Sequence, residues 1–180
     1  AVDDLKQLTG HIKVNDFTLS GTDSPYRLNQ LELSKRYNRL DLKSDFADLL
    51  VEGPIAPATI KQLLFSLLGR SLPGFFSKPI ASPRTTLAFK GEVKKTDVFN
   101  RFLHFPLHAE HGIKIEGKLS NSERSSVIIS APSLSYNNFS LSDLRFYLQG
   151  EGTRYTGLLQ AAKDIGNTQM RVALETKTDS

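Results

Sequence analysis

Apolar and polar residues alternate along the chain from residue 112 to 149. Ile113 and Ile115 share one parity there, as do Phe146 and Leu148 later in the stretch. A period of two sends successive side chains to opposite faces of a β-strand. The pattern therefore predicts antiparallel sheet with one apolar and one solvated face.

Turn-forming residues interrupt this alternation. They are typical of chain reversals between short strands. The predicted breaks are Asn121-Ser122-Glu123, Ala131-Pro132, Asn137-Asn138 and Ser142-Asp143.

The chain from Gly10 to Gly53 repeats the pattern with short alternating runs and frequent turns, which predicts a meander. The apolar parity shifts between Val14 and Phe17, so a tight turn or a β-bulge is expected there.

A different pattern occupies residues 58–69. Its apolar residues recur at helical spacing, with Pro57 before them and Gly69 after them. Two interpretations remain: a helix packed on the sheet, which the scarcity of Lys and Arg favours, or a helix on a membrane surface or in a groove. The stripe consists of Ile60, Leu63, Leu64, Leu67 and Leu68.

A proline-rich connector follows at residues 70–84, and residues 96–103 suggest one or two helical turns. We therefore expect a β unit over 1–56, a helix and connector over 57–84, and a second β unit over 85–180. Within the last unit, final strands are expected at 154–158 and 169–175. A loop or short helix is expected over 160–168, and a frayed tail over 175–180.

Composition narrows the chemistry. The net charge is +4 and the basic residues are dispersed, which argues against nucleic-acid binding. The absence of cysteine excludes a disulfide, a thiolate nucleophile and a cysteine zinc site. No run approaches the ~20 apolar residues that span a bilayer. The chain begins at Ala1 in polar sequence, which suggests a segment of a longer protein.

Few residues suggest catalysis or metal binding. His104, His108 and His111 have helical spacing, but Pro106 lies between them and opposes a helix. A second cluster contains the carboxylates Asp41, Asp45 and Asp48. They could serve acid–base chemistry, although turn formation and solvation explain them better. No nucleophile elbow or phosphate loop occurs, so we expect no enzyme activity, cofactor or metal.

The order of these motifs resembles the periplasmic part of TamB-like proteins of the AsmA-like superfamily, in the form found in Bacteroidetes-type bacteria. The resemblance covers most of the chain. It is carried by Tyr26–Leu33, Leu40–Phe46, Leu50–Gly53, the apolar helix, Thr96–Leu107, Gly112–Gly117 and Ala131–Tyr136.

This resemblance implies a mainly β fold, in which an antiparallel meander curls into an open trough (the β-taco) with one or two short helices. It implies a non-enzymatic segment of a protein anchored in the inner membrane and extending through the periplasm. The hydrophobic groove of such proteins accommodates or conducts phospholipid acyl chains in outer-membrane biogenesis. An Omp85-type assembly protein would be met by a C-terminal part outside this segment.

Residues in phase on the apolar face are the candidates for the lipid groove. They are Ile12, Val14, Leu31, Leu33, Leu40, Leu42, Leu87, Phe89, Ile113, Ile115, Leu144, Phe146 and Leu148. An exposed groove would also make the isolated segment self-associate.

A closed β-sandwich produces the same alternation, because each of its sheets also buries one face. The alternative is therefore a carbohydrate- or protein-binding module that uses loop aromatics such as Phe75, Phe76 and Tyr155. A hydrolase based on the aspartate and histidine clusters ranks third.

Overall fold

The computed structural model describes residues 9–19, 25–55, 84–97, 101, 106–137, 139–151, 154–165 and 168–178. Nearly all of them lie in β-strands. The strands are β1 (Gly10–Leu19), β2 (Tyr26–Arg36), β3 (Arg39–Ser44), β4 (Ala47–Glu52), β5 (Thr86–Val93), β6 (Leu107–His108), β7 (Ile113–Ser120), β8 (Ser125–Tyr136), β9 (Phe139–Glu151), β10 (Arg154–Ile165) and β11 (Thr168–Thr178).

These strands form one sheet in the order β1-β2-β3-β4-β5-β7-β8-β9-β10-β11, while β6 pairs with β8. The pairings are antiparallel throughout. The predicted mainly β class and the antiparallel meander are confirmed, and the sheet is open. The first and second predicted β units are continuous, because β4 pairs directly with β5.

The predicted helices fall largely outside the described residues. Residues 58–69 and the connector lie wholly outside them. Of the helical turns expected over 96–103, only Thr96, Asp97 and Arg101 are described, and the last two have helical backbone.

Two of the predicted turns are wrong, because β8 runs through Ala131-Pro132 and β9 through Ser142-Asp143. Asp143 has a φ of 51° and marks a register irregularity opposite β10, so it forms a bulge and not a reversal. Pro132 is tolerated because it lies on β8 between the end of its pairing with β7 and the start of its pairing with β6.

Other local predictions also change. The parity shift near Val14 is an irregularity within β1 at Asp16, whose φ is 51°, and β1 continues past it. The expected loop at 160–168 is wrong, since β10 extends to Ile165 and β11 begins at Thr168. The tail expected to fray pairs with β10 as far as Thr178. The two final strands expected at 154–158 and 169–175 are present, but both are longer than predicted, because small and polar residues interrupt their apolar alternation.

The sheet bends toward its apolar face. Val51 on β4, Leu87 on β5 and Tyr155 on β10 belong to one buried cluster. In a flat sheet, four strand spacings would separate β5 from β10 by ~19 Å, too far for one cluster. The apolar face is therefore concave where β4, β5 and β10 approach one another.

Glycines on this face give large side chains room to lean inward. A Cβ at Gly91 would lie 3.0 Å from Leu49 Cδ1, and a Cβ at Gly117 would lie 2.9 Å from Phe89 Cζ. At Gly150 it would collide with the ring of Tyr155. Glycines at such positions accommodate both curvature and close approach.

We predict that Gly150→Ala lowers the free energy of unfolding by about 1–3 kcal/mol, because the added methyl group displaces Tyr155 from the cluster. Urea unfolding would measure the loss. Gly10→Ala is the matched control, since its Cβ meets nothing within 4 Å, and its effect should stay within about 0.5 kcal/mol. Equal effects of the two substitutions would contradict this account of the bend.

Candidate functional site

The strand register places all of the predicted groove residues on one face of the sheet. Ile12 pairs with Leu33, which pairs with Leu42, and the same row continues across every later strand of the path as far as β10. We call it the central row. It consists of Ile12, Leu33, Leu42, Leu49, Gly91, Ile115, Ile129, Phe146 and Leu159.

Two flanking rows lie two residues away on either side of the central row, and we call the three rows together the apolar face. Phe89, Leu40 and Leu148 lie in one flanking row, and Val14 and Ile113 lie in the other. Leu87 lies one step further toward the buried cluster. The rows make a continuous apolar surface that strand-by-strand analysis could not assemble.

Several residues of the apolar face were not among the predicted groove residues. Leu49 and Val51 were missed because they flank Leu50 in an unbroken apolar run that has no parity signal. Val127 and Ile129 share a parity in the sequence but were not included in the groove. Their register with β7 and β9 shows that they also lie on the apolar face.

The apolar face is only partly covered. Val51, Leu87 and Tyr155 are buried, with 7–8% of their surface exposed. The ends of the central row remain open, since Ile12 is 55% exposed and Leu159 36%. The residues between them, Gly91 included, are half-buried.

The exposed area of the whole chain agrees with this partial covering. The accessible surface is 12386 Å². A compact monomer of 20.0 kDa would expose roughly 8,700 Å². An excess is the direction expected when a sheet leaves one face without a complete second layer.

The opposite face is polar, and we call it the charged face. Cations and anions alternate across its strands, as in the register pairs Glu32 with Lys43 and Glu92 with Lys114. Lys90 lies 3.9 Å from Glu116 in an ion pair between β5 and β7. A shallow depression of about 600 Å³ crosses this face. Because neighbouring charges cancel, the face offers no single-sign field for a polyanion.

The aspartate cluster has a structural explanation. Asp41 Oδ2 lies 3.7 Å from an Arg39 nitrogen, and Asp48 Oδ1 lies 2.7 Å from Lys94 Nζ. Asp45 accepts hydrogen bonds from the backbone N–H groups of Asn29 and Gln30, at 2.8 and 3.0 Å. These bonds, that of Asn29 foremost, lower the pKa of Asp45. The three carboxylates therefore have separate partners and do not form a catalytic pair.

The histidine cluster is described only in part. His108 and His111 are exposed, and His104 lies outside the described residues. Within the part of the chain that the structure describes, no group of three His, Asp or Glu side chains is placed to hold a metal ion.

No protein-family model, curated protein or solved structure matches the chain. Among the residues described, no helix is long and apolar enough to cross a membrane.

We predict that Asp45→Ala lowers the free energy of unfolding by on the order of 1 kcal/mol, because backbone donors of β2 lose their acceptor. Asp41→Ala, which removes only a surface ion pair, is the control and should change it by less than about 0.5 kcal/mol.

The same pair of variants predicts a pH dependence. Because the pKa of Asp45 is lowered in the fold, its ionised carboxylate contributes stability fully above the unfolded pKa of about 3.9. This contribution is lost as the pH falls through the folded pKa. The difference in stability between wild type and Asp45→Ala should therefore shrink in acid-titrated denaturation below about pH 4. A difference that grows with acidity would contradict the assignment.

Proposed function

We propose that this chain is a non-enzymatic segment of a bacterial envelope protein of the TamB-like kind, and that its apolar face accommodates phospholipid acyl chains. The observation that carries the proposal is the central row, an apolar row that crosses the bent sheet and remains partly exposed at both ends.

The dimensions of the apolar face suit an acyl chain. Its three rows and the buried cluster beyond them extend ~20 Å along the strands, since alternate residues are ~6.8 Å apart. Half the thickness of a bilayer core, about 15 Å, is the length of one acyl chain in a membrane. The face is therefore long enough for a chain lying along the strands.

The chemistry of the apolar face favours a ligand without polar specificity. Its rows are built mainly from aliphatic side chains, Phe89 and Phe146, with glycines between them. The polar members Lys35 and Ser44 lie in the flanking rows on β2 and β3. The buried hydroxyl of Ser125 is engaged within the β7–β8 turn, where it bonds to the backbone of Ser120. Hydrophobic burial is non-directional, so such a surface accepts hydrocarbon of varied structure.

The wider setting of the proposal comes from the resemblance. The full protein would be anchored in the inner membrane, would cross the periplasm, and would meet an Omp85-type assembly protein near the outer membrane. Its part in outer-membrane biogenesis would be to shield lipid chains from water, and it would need no cofactor.

One of the residues proposed for a loop-based binding module is not in a loop. Tyr155, which that alternative placed in an exposed loop, lies in β10 and is buried against Val51 and Leu87. Phe75 and Phe76 are outside the described residues. The described strands also form a single sheet, without the second sheet that a sandwich requires.

We predict that Ile129→Glu abolishes lipid retention while Ile128→Glu leaves it unchanged. The two residues are consecutive in β8 and both half-buried, but Ile129 lies in the central row and Ile128 on the charged face beside Tyr147. A carboxylate against acyl chains is poorly solvated, so bound lipid should fall by about tenfold or more.

Native mass spectrometry of the purified variants, with extraction and quantification of phospholipid, would measure retention. Phe146→Glu and Ile115→Glu should behave like Ile129→Glu, since both lie in the same row. Circular dichroism would establish that each variant is folded. Equal lipid content in folded Ile129→Glu and Ile128→Glu would overturn the proposal.

A further inference from the structure

The β8–β9 hairpin ends in a pair of exposed aromatic residues. Tyr136 and Phe139 are register partners on either side of the turn. Their exposed fractions are 42% and 48%. Asn137 in the turn has a φ of 51°, the conformation that tight two-residue hairpins require. The aromatic pair is thus held at a defined position at the end of two long strands. We call it the hairpin tip.

The hairpin tip extends beyond β5 and β7, which lie on one side of it. β8 has 12 residues and β9 has 13, whereas β5 and β7 have 8 each. The pairing of β8 with β7 ends at Ser130, so the remaining six residues of β8 reach ~20 Å further. The tip also lies at the opposite end of the sheet from the Tyr155 cluster.

The hairpin tip is braced on both sides. Leu107 of β6 pairs with Tyr136, and the N–H of Asn137 donates to the carbonyl oxygen of Pro106 at 3.3 Å. On the other side, the ammonium group of Lys163 on β10 lies 4.4 Å from the centre of the Phe139 ring. An apolar ring, an amphipathic phenol and a long cationic side chain therefore meet at one point.

This combination is the chemistry of a membrane interface. Tyrosine is enriched at the level of the lipid headgroups, where its ring is apolar and its hydroxyl is hydrated. Lysine buries its methylene stem and keeps its ammonium among the phosphates. Lys163 can also attract anionic headgroups before the rings enter.

The size of the hairpin tip argues against a protein partner. A fully buried aromatic side chain contributes at most about 250 Å², so two of them supply no more than ~500 Å². A standard specific protein interface buries about 800 Å² on each partner. The exposed aromatic rings suit insertion between lipids, because the bilayer closes around them without a complementary surface.

We infer that the hairpin tip of Tyr136, Phe139 and Lys163 docks the sheet onto the surface of a phospholipid bilayer. The aromatic rings enter the outer part of the hydrocarbon, and Lys163 pairs with phosphate. This docking is separate from the accommodation of acyl chains on the apolar face, because insertion of the tip needs no lipid in the trough.

The chain contains no tryptophan, so one introduced tryptophan reports on one position. In Tyr136→Trp, vesicles of phosphatidylcholine and phosphatidylglycerol should shift the emission to the blue, and brominated acyl chains should quench it. Tyr37→Trp is the control, because Tyr37 is 80% exposed in the β2–β3 turn at the other end of the sheet. The emission of Tyr37→Trp should change neither with the vesicles nor with the brominated acyl chains.

Co-sedimentation with the same vesicles provides a second measurement. Phe139→Ser should weaken vesicle binding about tenfold, as expected for the loss of one buried aromatic ring. Lys163→Gln should weaken binding to anionic vesicles more than to neutral ones. Lys90→Gln, on the charged face, should change binding to neither kind of vesicle.

The inference is overturned if the emission of Tyr136→Trp does not respond to vesicles, or if Tyr37→Trp responds equally. A blue shift that depends on protein concentration without vesicles would assign the tip to a second copy of the chain and would also overturn it. This test does not depend on the outcome of the lipid-retention experiment, because Ile129→Glu alters the apolar face and leaves the hairpin tip unchanged.

Discussion

The bend of the sheet depends on the absence of side chains at particular concave positions. When a sheet curls, side chains on its inner face converge, and large ones on adjacent strands cannot all be accommodated. Here Leu49 leans over Gly91, Phe89 over Gly117 and Tyr155 over Gly150. These contacts let β10 approach β4 and β5 and bury Val51 and Leu87 between them. The same arrangement leaves the central row without a complete cover.

The two faces of the sheet consequently have different roles. The charged face is solvated and nearly neutral locally, since cations and anions alternate between neighbouring strands. Its ion pairs are exposed and contribute little stability individually. The apolar face holds the only large hydrophobic surface in the described strands, and its partial exposure is costly in water unless something apolar covers it. Acyl chains of phospholipid meet that need without a specific polar contact.

Sequence periodicity was sufficient for the mainly β class, for the meander and for the shared face of residues such as Ile12, Leu42 and Phe146. Parity within a strand decides which of its side chains share a face, so the faces could be predicted without knowing which strands pair. The central row, in contrast, depends on the register of nine strands, which alternation does not encode. Leu49 and Val51 were missed for two reasons. The register could not be read from the sequence, and their unbroken apolar run shows no alternation.

The local errors have physical causes too. Aspartate with positive φ occurs in turns and in bulges alike, so Asp143 was interpreted as a reversal although β9 continues through it. A proline interrupts a strand where both neighbouring strands pair with it, and at Pro132 one side of β8 is unpaired. Tyr155 was placed in a predicted strand, and the alternative function treated it as an exposed loop aromatic. Its burial depends on the close approach of its ring to Gly150 and on the cluster with Val51 and Leu87, and neither contact can be inferred from alternation.

The most direct test of the central claim is nuclear magnetic resonance of methyl-labelled isoleucine in the lipid-bound protein. The account predicts magnetisation transfer between acyl-chain protons and the methyl groups of Ile115 and Ile129, and none to Ile128. Transfer to Ile128 alone, or to no isoleucine while lipid is bound, would show that lipid lies elsewhere and would contradict the account.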